Sequence, residues 1–151
     1  MSTATPEDIP CSASLGWVNI PVVDPATGNV VLNEETGEPL ISLIRYDNFV
    51  ALLLKADTRA QMCNHAVLGV CGEAGELADC IKKEIHYGHE IDRKNLVEEL
   101  GDLRFYIQAV MNLYGVSEME LLQHNANKLT ARYNKLRFNS IQAAERADKN
   151  S

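Results

Sequence analysis

The chain has no excess of positive charge, no long apolar run and no paired-cysteine motif, and each absence removes a class of function. Its 151 residues carry 14 Lys and Arg against 21 Asp and Glu, a net charge of −7. Non-specific binding to nucleic acid or to a membrane relies on a basic surface, so neither partner is expected. A phosphorylated small molecule stays open, because a bound cation inverts the local field. No apolar stretch approaches membrane-spanning length, and the opening Met1-Ser-Thr-Ala-Thr-Pro6 does not read as a signal peptide. Cys11, Cys63, Cys71 and Cys80 include no C-x-x-C spacing, which fits reduced thiols in a cytosolic protein, the last three as small core residues. His65, His86, His89 and His124 form no Glu-x-x-His pair, which a ferritin-like di-iron bundle requires on two helices. Neither an internal repeat nor a low-complexity block is evident.

What is present is ordinary for a globular protein, with 46% hydrophobic and 23% charged residues in a length that suits one domain. Residues 1–44 read as a polar tail followed by a β-ribbon appendage. Trp17-Val-Asn-Ile-Pro-Val-Val23, Asn29-Val-Val-Leu32 and Leu40-Ile-Ser-Leu43 are β-prone, and Asp24 to Gly28 and Asn33 to Pro39 carry turn chemistry. Two short hairpins or a small meander are expected, leaning on the helical body or a second subunit. Trp17 is either an anchor for this ribbon or a stacking surface for a base.

Residues 45–133 read as a four-helix bundle, so the fold class is all-α, with 134–151 as a tail holding one further turn near Ile141 to Arg146. The first helix runs from Tyr46 to about Ala56, with Phe49, Leu52, Leu53 and Ala56 on one stripe. The second runs from about Thr58 to Ile85 and contains Gly69, Gly72 and Gly75. Each costs about 1 kcal/mol relative to alanine, so close approach of a neighbouring helix or a ligand is expected there. Asp92 suits an N-cap for the third helix, with Leu96, Val97, Leu100, Leu103, Ile107, Val110, Met111 and Tyr114 facing inward. Ser117-Glu-Met-Glu120 is a capping-box sequence opening the fourth helix, whose apolar side is Met119, Leu122, Ala126 and Leu129.

The chain is organised around Glu73-Ala-Gly-Glu76 and Glu99-Leu-Gly-Asp102, separated by twenty-two residues. Carboxylates at i and i+3 share a helix face, and two such helices packed antiparallel bring all four to one inner surface. Unpaired buried acids repel one another and lose hydration. A divalent cation removes that penalty, and hard oxygen ligands suit Mg²⁺ or Mn²⁺. Solvated helix faces are the competing reading. Against it, Glu99 and Asp102 are flanked by nearly continuous hydrophobes, and Gly72, Gly75 and Gly101 beside the acids point to a tight pocket. Glu98 lies about 100° round the helix from Glu99, either behind the ligands or exposed. On the fourth helix Asn125, Lys128 and Arg132 form one stripe of amide and cationic donors. It suits phosphate oxygens, and by spacing alone it fits a solvated face equally well.

These acids resemble the signature of the MazG-like, all-α nucleoside triphosphate pyrophosphohydrolases. Gly72-Glu-Ala-Gly-Glu-Leu77, Leu96-Val-Glu-Glu-Leu-Gly-Asp102 and Asn125-Ala-Asn-Lys-Leu-Thr-Ala-Arg-Tyr133 carry the resemblance, over about Arg45 to Tyr133. Gly72 departs from the pattern, since the family often has an acid there. The resemblance implies hydrolysis of a nucleoside triphosphate to the monophosphate and pyrophosphate. It implies two or more Mg²⁺ ions, replaceable by Mn²⁺, on Glu73, Glu76, Glu99 and Asp102. Glu76 is then the candidate to orient or deprotonate the attacking water, Lys128 and Arg132 the ligands of the departing pyrophosphate, and Asn125 and Tyr133 supports for the substrate. A homodimer or homotetramer is implied. The short form with an added ribbon resembles stand-alone phage or bacterial versions. That implies host cytoplasm if phage-encoded, and a pool-shaping role with deoxyguanosine triphosphate the first candidate by analogy. A dUTP or dCTP pyrophosphatase of the same superfamily, and a non-catalytic helical oligomerisation or regulatory module, are the alternatives.

Overall fold

A computed structural model describes residues 16–55, 57–133 and 135–146. The expected all-α class with a small N-terminal β-appendage is borne out. In chain order the elements are β1 (Trp17–Pro21), β2 (Ile41–Arg45), α1 (Tyr46–Leu53), α2 (Arg59–Tyr87), α3 (Arg93–Tyr114), α4 (Glu118–Arg132) and α5 (Ser140–Glu145). None of the described helices is long and apolar enough to cross a membrane. The chain divides between Ala109 and Val110 into two compact units, the first ending within α3.

In the first unit, β1 and β2 pair antiparallel from Trp17↔Arg45 to Pro21↔Ile41. The segment between them contradicts the expectation of no internal repeat. Val22, Val31 and Leu40, nine residues apart in sequence, close a ring of backbone hydrogen bonds. The Val22 N–H donates to the Leu40 carbonyl (2.8 Å), Leu40 to Val31 (2.9 Å) and Val31 to Val22 (2.8 Å). The two turns between them share most of their bonds. Asp24 and Asn33 each accept, through Oδ1 at 2.8 Å, the N–H two residues ahead. Gly28 and Gly37 each donate to the carbonyl of that Asp or Asn at 2.8 and 2.9 Å. Both glycines take the left-handed backbone, with φ of 72° and 71°.

The ribbon leads directly into α1, and the Tyr46 N–H donates to the Gly16 carbonyl at 2.7 Å. Val50 of α1 is fully buried. The helix stops earlier than its apolar stripe implies, because Leu54 is already extended. The chain must leave helical geometry before Thr58, whose side chain accepts the Gln61 N–H and caps α2. Ala56, assigned to the first stripe, lies outside the described residues. At the far end α2 runs to Tyr87, two residues past Ile85, and Gly88, with φ of 68°, closes it. Asp92 caps α3 as expected, its Oδ1 accepting from Lys94 and Asn95 at 3.1 Å.

Pairing of α2 with α3 is antiparallel and close. His65 meets Tyr106 edge to face, with ring centroids 5.7 Å apart. A methyl group at Gly69 would overlap the Tyr106 ring, so here the expectation of close approach holds. At Gly72, Gly75 and Gly101 an added Cβ meets nothing within 4 Å, so no neighbouring helix accounts for them. These glycines face open space, not a neighbouring backbone. Two further expectations need correction. Val97, Leu100 and Tyr114 of α3 are exposed, while Glu99 and Gln108 are buried with Ala109 and Met111. The apolar run of α3 is wider than the stripe its neighbours cover. Cys80 is buried as a core residue should be, but Cys71 is exposed.

In the second unit, the Ser117 side chain accepts the Glu120 N–H and caps α4. Met119, Leu122 and Leu129 are exposed, so the expected apolar side of α4 exists but is not buried. Asn139 caps the short α5 where one further turn is expected.

The glycines give opposite expectations on melting the metal-free protein. Gly69→Ala gains helix propensity but drives a methyl into the Tyr106 ring, so a net loss of about 1–3 kcal/mol is expected. Gly72→Ala and Gly75→Ala, with open space, should each gain about 0.5–1 kcal/mol. Equal effects at all three positions would refute the α2–α3 packing.

Candidate metal centre

The contact of Gly69 with Tyr106 fixes how the neighbouring turns of the two helices face each other. One turn on from Gly69 comes Glu73 and then Glu76, and the opposing chain of α3 runs back from Tyr106 to Asp102 and Glu99. One carboxylate oxygen from each of Glu73, Glu76 and Glu99 lies within 4.8 Å of the others. Glu99 is buried at 8% exposure, Glu73 is half-buried and Glu76 is exposed. The group therefore has a floor and an open side.

Both inner acids hold their protons more tightly than a free glutamate does. Burial is the first cause for Glu73, followed by the charges of Glu76 and Asp102. Burial again leads for Glu99, followed by Glu76, Glu73, Asp102 and Glu98. Asp102 is thus close enough for both to feel it, although it stands outside the tight trio and is exposed. Glu98 is exposed and acts on Glu99 only weakly, which places it at the rim.

Repulsion without a counter-charge between them is the condition a divalent cation relieves. All the donors are carboxylate oxygens, so the set fits Mg²⁺ or Mn²⁺ and lacks the thiolate or imidazole that zinc sites commonly use. The residues present fit such an ion.

The residues expected to meet phosphate lie in the other unit. Asn125 and Lys128 are exposed on α4 and Arg132 is half-buried in its last turn. Tyr133 caps α4 through an N–H bond to the Leu129 carbonyl at 2.8 Å. Its ring packs beside Phe138 with centroids 6.0 Å apart. Together with Ala126, Leu129, Thr130, Leu136 and Arg137 these rings line a cavity of about 330 Å³. Sequence reasoning missed this hollow. Its one signal was the apolar Leu136 and Phe138 in a segment that otherwise reads as tail.

The sequence profile of the MazG nucleotide pyrophosphohydrolase domain matches residues 61–137. The chain belongs to this family. The matched region of the MazG domain contains the carboxylate trio, Asp102 and all of α4, and leaves out the ribbon and α1. The chain is also similar to the Gene 37 protein of Mycobacterium phage L5, at 33% identity over 73 residues. That alignment covers 46% of this chain and 64% of the phage protein, so the chain spans less than two thirds of its relative's length. No solved structure matches.

The raised proton affinities fix the sign of a pH effect. For Glu73 and Glu99 the folded state holds protons above the ordinary value of 4.5. Their contribution to the metal-free fold is therefore full below that value and lost as pH rises through the folded values. Glu76→Gln removes a charge that both acids feel. In chelator, its melting temperature should exceed wild type by roughly a few degrees near neutral pH, with the gap closing by about pH 4. Mn²⁺ should raise the wild-type melting temperature and raise that of Glu76→Gln much less. A gap independent of pH would remove the repulsion argument.

Proposed function

We propose that this MazG domain is a metal-dependent nucleoside triphosphate pyrophosphohydrolase, converting a (d)NTP and water to the monophosphate and pyrophosphate. The observation that carries the reading is the closure of Glu73, Glu76 and Glu99 into one group with ligand oxygens within 4.8 Å, inside the matched region. The catalytic domain is assigned to residues 45–133, with the ribbon before it and the tail after it.

Glu73, Glu76, Glu99 and Asp102 are assigned as the ligands of two or more Mg²⁺ ions, with Mn²⁺ as substitute. When bound, the metal neutralises the triphosphate and lowers the pKa of a water for attack at the α-phosphorus. Glu76 is assigned to orient or deprotonate that water, because it is the one carboxylate of the trio exposed to solvent. Lys128 and Arg132 hold the departing pyrophosphate, and Asn125 and Tyr133 place the substrate. Catalysis of this kind is mostly positioning and charge stabilisation.

The resemblance to a phage protein supports a host-cytoplasm setting. A pool-shaping role, with dGTP the first candidate and dUTP or dCTP the rivals, rests on analogy with stand-alone members of the family. The exposed Met119, Leu122 and Leu129 of α4 support assembly as a homodimer or homotetramer.

A panel of the eight common NTPs and dNTPs plus dUTP, with Mg²⁺ or Mn²⁺ and products resolved by chromatography, tests the reading. One nucleotide or a narrow set should yield monophosphate and pyrophosphate. Glu76→Ala should lose about 100-fold or more, since even residues that only orient metal ligands cost 10–100-fold. Diphosphate and orthophosphate as products would show attack at a different phosphorus. Metal binding without turnover of any nucleotide would leave a binding module.

A further inference from the structure

Asp79 stands one turn past Glu76 on α2, and two ammonium groups attend it. Lys83 Nζ lies 2.9 Å from Asp79 Oδ2, and Lys82 Nζ lies 3.8 Å from Asp79 Oδ1. Lys82 also sits over the Tyr87 ring, 5.5 Å from its centroid. A single carboxylate with two cations is more positive charge than a helix-surface pair requires.

Lys83 is placed differently from Lys82. It lies seven residues past Glu76, so the two share one line along α2, about 10 Å apart at the backbone. Long side chains on a helix lean toward its N-terminus. The contact with Asp79 shows Lys83 doing so, with its ammonium drawn back toward the Glu76 end. The Asp79 hydrogen bond is the main reason Lys83 holds its proton more tightly than usual, and Glu99 of α3 adds to it. Lys83 therefore stands in the field of the carboxylate centre from the side opposite Gly69.

We propose that Lys83 is a phosphate-binding residue of the carboxylate centre, resting on Asp79 until a triphosphate arrives and then turning its ammonium to a phosphate oxygen. The proposal rests on the nucleotide reading above. The exchange is cheap. Lys83 and Asp79 are both about half exposed, at 53% and 49% for their side chains, and exposed pairs of this kind are weak. Lys82 remains beside Asp79 when Lys83 leaves. A phosphate oxygen offers a stronger charge-assisted bond than a solvated carboxylate already shared with a second lysine. Lys83 also lies within the matched region but outside the four-acid signature, so the spacing of the acids gives no sign of it.

The test is a pair of titrations into wild type, Lys83→Gln, Lys83→Arg and Lys82→Gln. One uses Mn²⁺ alone, and the other uses the α,β-methylene analogues of dGTP and dUTP in saturating Mn²⁺. Removing a nearby positive charge should leave Mn²⁺ affinity unchanged or tighten it up to about threefold in Lys83→Gln. The same variant should bind the nucleotide analogue about tenfold more weakly, the worth of one charge-assisted bond. Lys83→Arg should restore most of that loss, and Lys82→Gln should match wild type in both. Wild-type nucleotide affinity in Lys83→Gln overturns the proposal. So does a parallel loss of metal and nucleotide affinity, the mark of a pair that matters only for folding. If wild type binds the analogues but hydrolyses no nucleotide, the pyrophosphohydrolase reading falls while Lys83 is still judged by these affinities. If wild type binds no analogue, both fall.

Discussion

The approach of the Tyr106 ring to the bare backbone of Gly69 is the contact on which the site depends. It sets both the separation and the register of α2 against α3. Because the helices run antiparallel, each turn forward from Gly69 meets a turn backward from Tyr106. Glu73 and Glu76 therefore come level with Asp102 and Glu99 and not with the apolar residues between. A larger residue at Gly69 would force the helices apart at that level. Carboxylates that share one ion must be within a few ångströms of one another, so even a small separation would open the trio. The packing contact and the metal centre are one constraint expressed at two neighbouring levels of a helix pair.

Holding acids this close works against the stability of the metal-free fold. Burial and mutual charge both raise the proton affinity of Glu73 and Glu99. Natural sequences tolerate such strain at functional sites and offset it elsewhere. Offsetting elements are visible in the same unit. Thr58 and Asp92 cap the two helices that carry the acids. Arg104, on α3, lies over the Tyr46 ring at 5.5 Å and donates to Gln108 Oε1 at 3.0 Å. The first contact ties α3 to the start of α1, the second braces Arg104 within α3, and the Tyr46 N–H ties α1 to Gly16 at the start of the ribbon. The segment outside the family match is thereby fastened to the helix that bears Glu99.

Much of this is legible in the chain. The i, i+3 spacing of the acids, the helix caps at Asp92 and Ser117, and the turn chemistry of the ribbon are local features. Local geometry is what residue spacing encodes. The failures are of another kind. Val97, Leu100 and Tyr114 have helical periodicity, but periodicity marks a face without saying whether a neighbour covers it. Gly72 and Gly75 look like Gly69 in sequence, and only the position of Tyr106 separates the one under contact from the two in open space. The nine-residue repeat is hidden because only Val22 and Val31, Thr27 and Thr36, and Gly28 and Gly37 repeat as letters. The hydrogen bonds are carried by Asp24 in one turn and Asn33 in the other, two side chains that do the same job through Oδ1.

That repeat also explains how so short a ribbon holds its shape. An isolated two-stranded ribbon is marginal in water, and Trp17, Val23, Val30, Leu32, Ile41 and Leu43 are all exposed, so a buried apolar core is not what orders it. Order comes instead from backbone bonds satisfied within the segment. Each turn uses an Asx side chain, a glycine in left-handed geometry and a threonine hydroxyl, and the ring through Val22, Val31 and Leu40 binds the two turns to each other. Thr27 Oγ1 and Thr36 Oγ1 each accept the N–H two residues ahead at 3.3 Å, completing the set. A unit built this way stays folded while presenting apolar side chains outward, whereas a ribbon ordered by its own hydrophobic face would have to bury them. The polar turns thus leave the ribbon's apolar residues available for contact, on an element whose base is anchored to α1 and through α1 to the helix of Glu99.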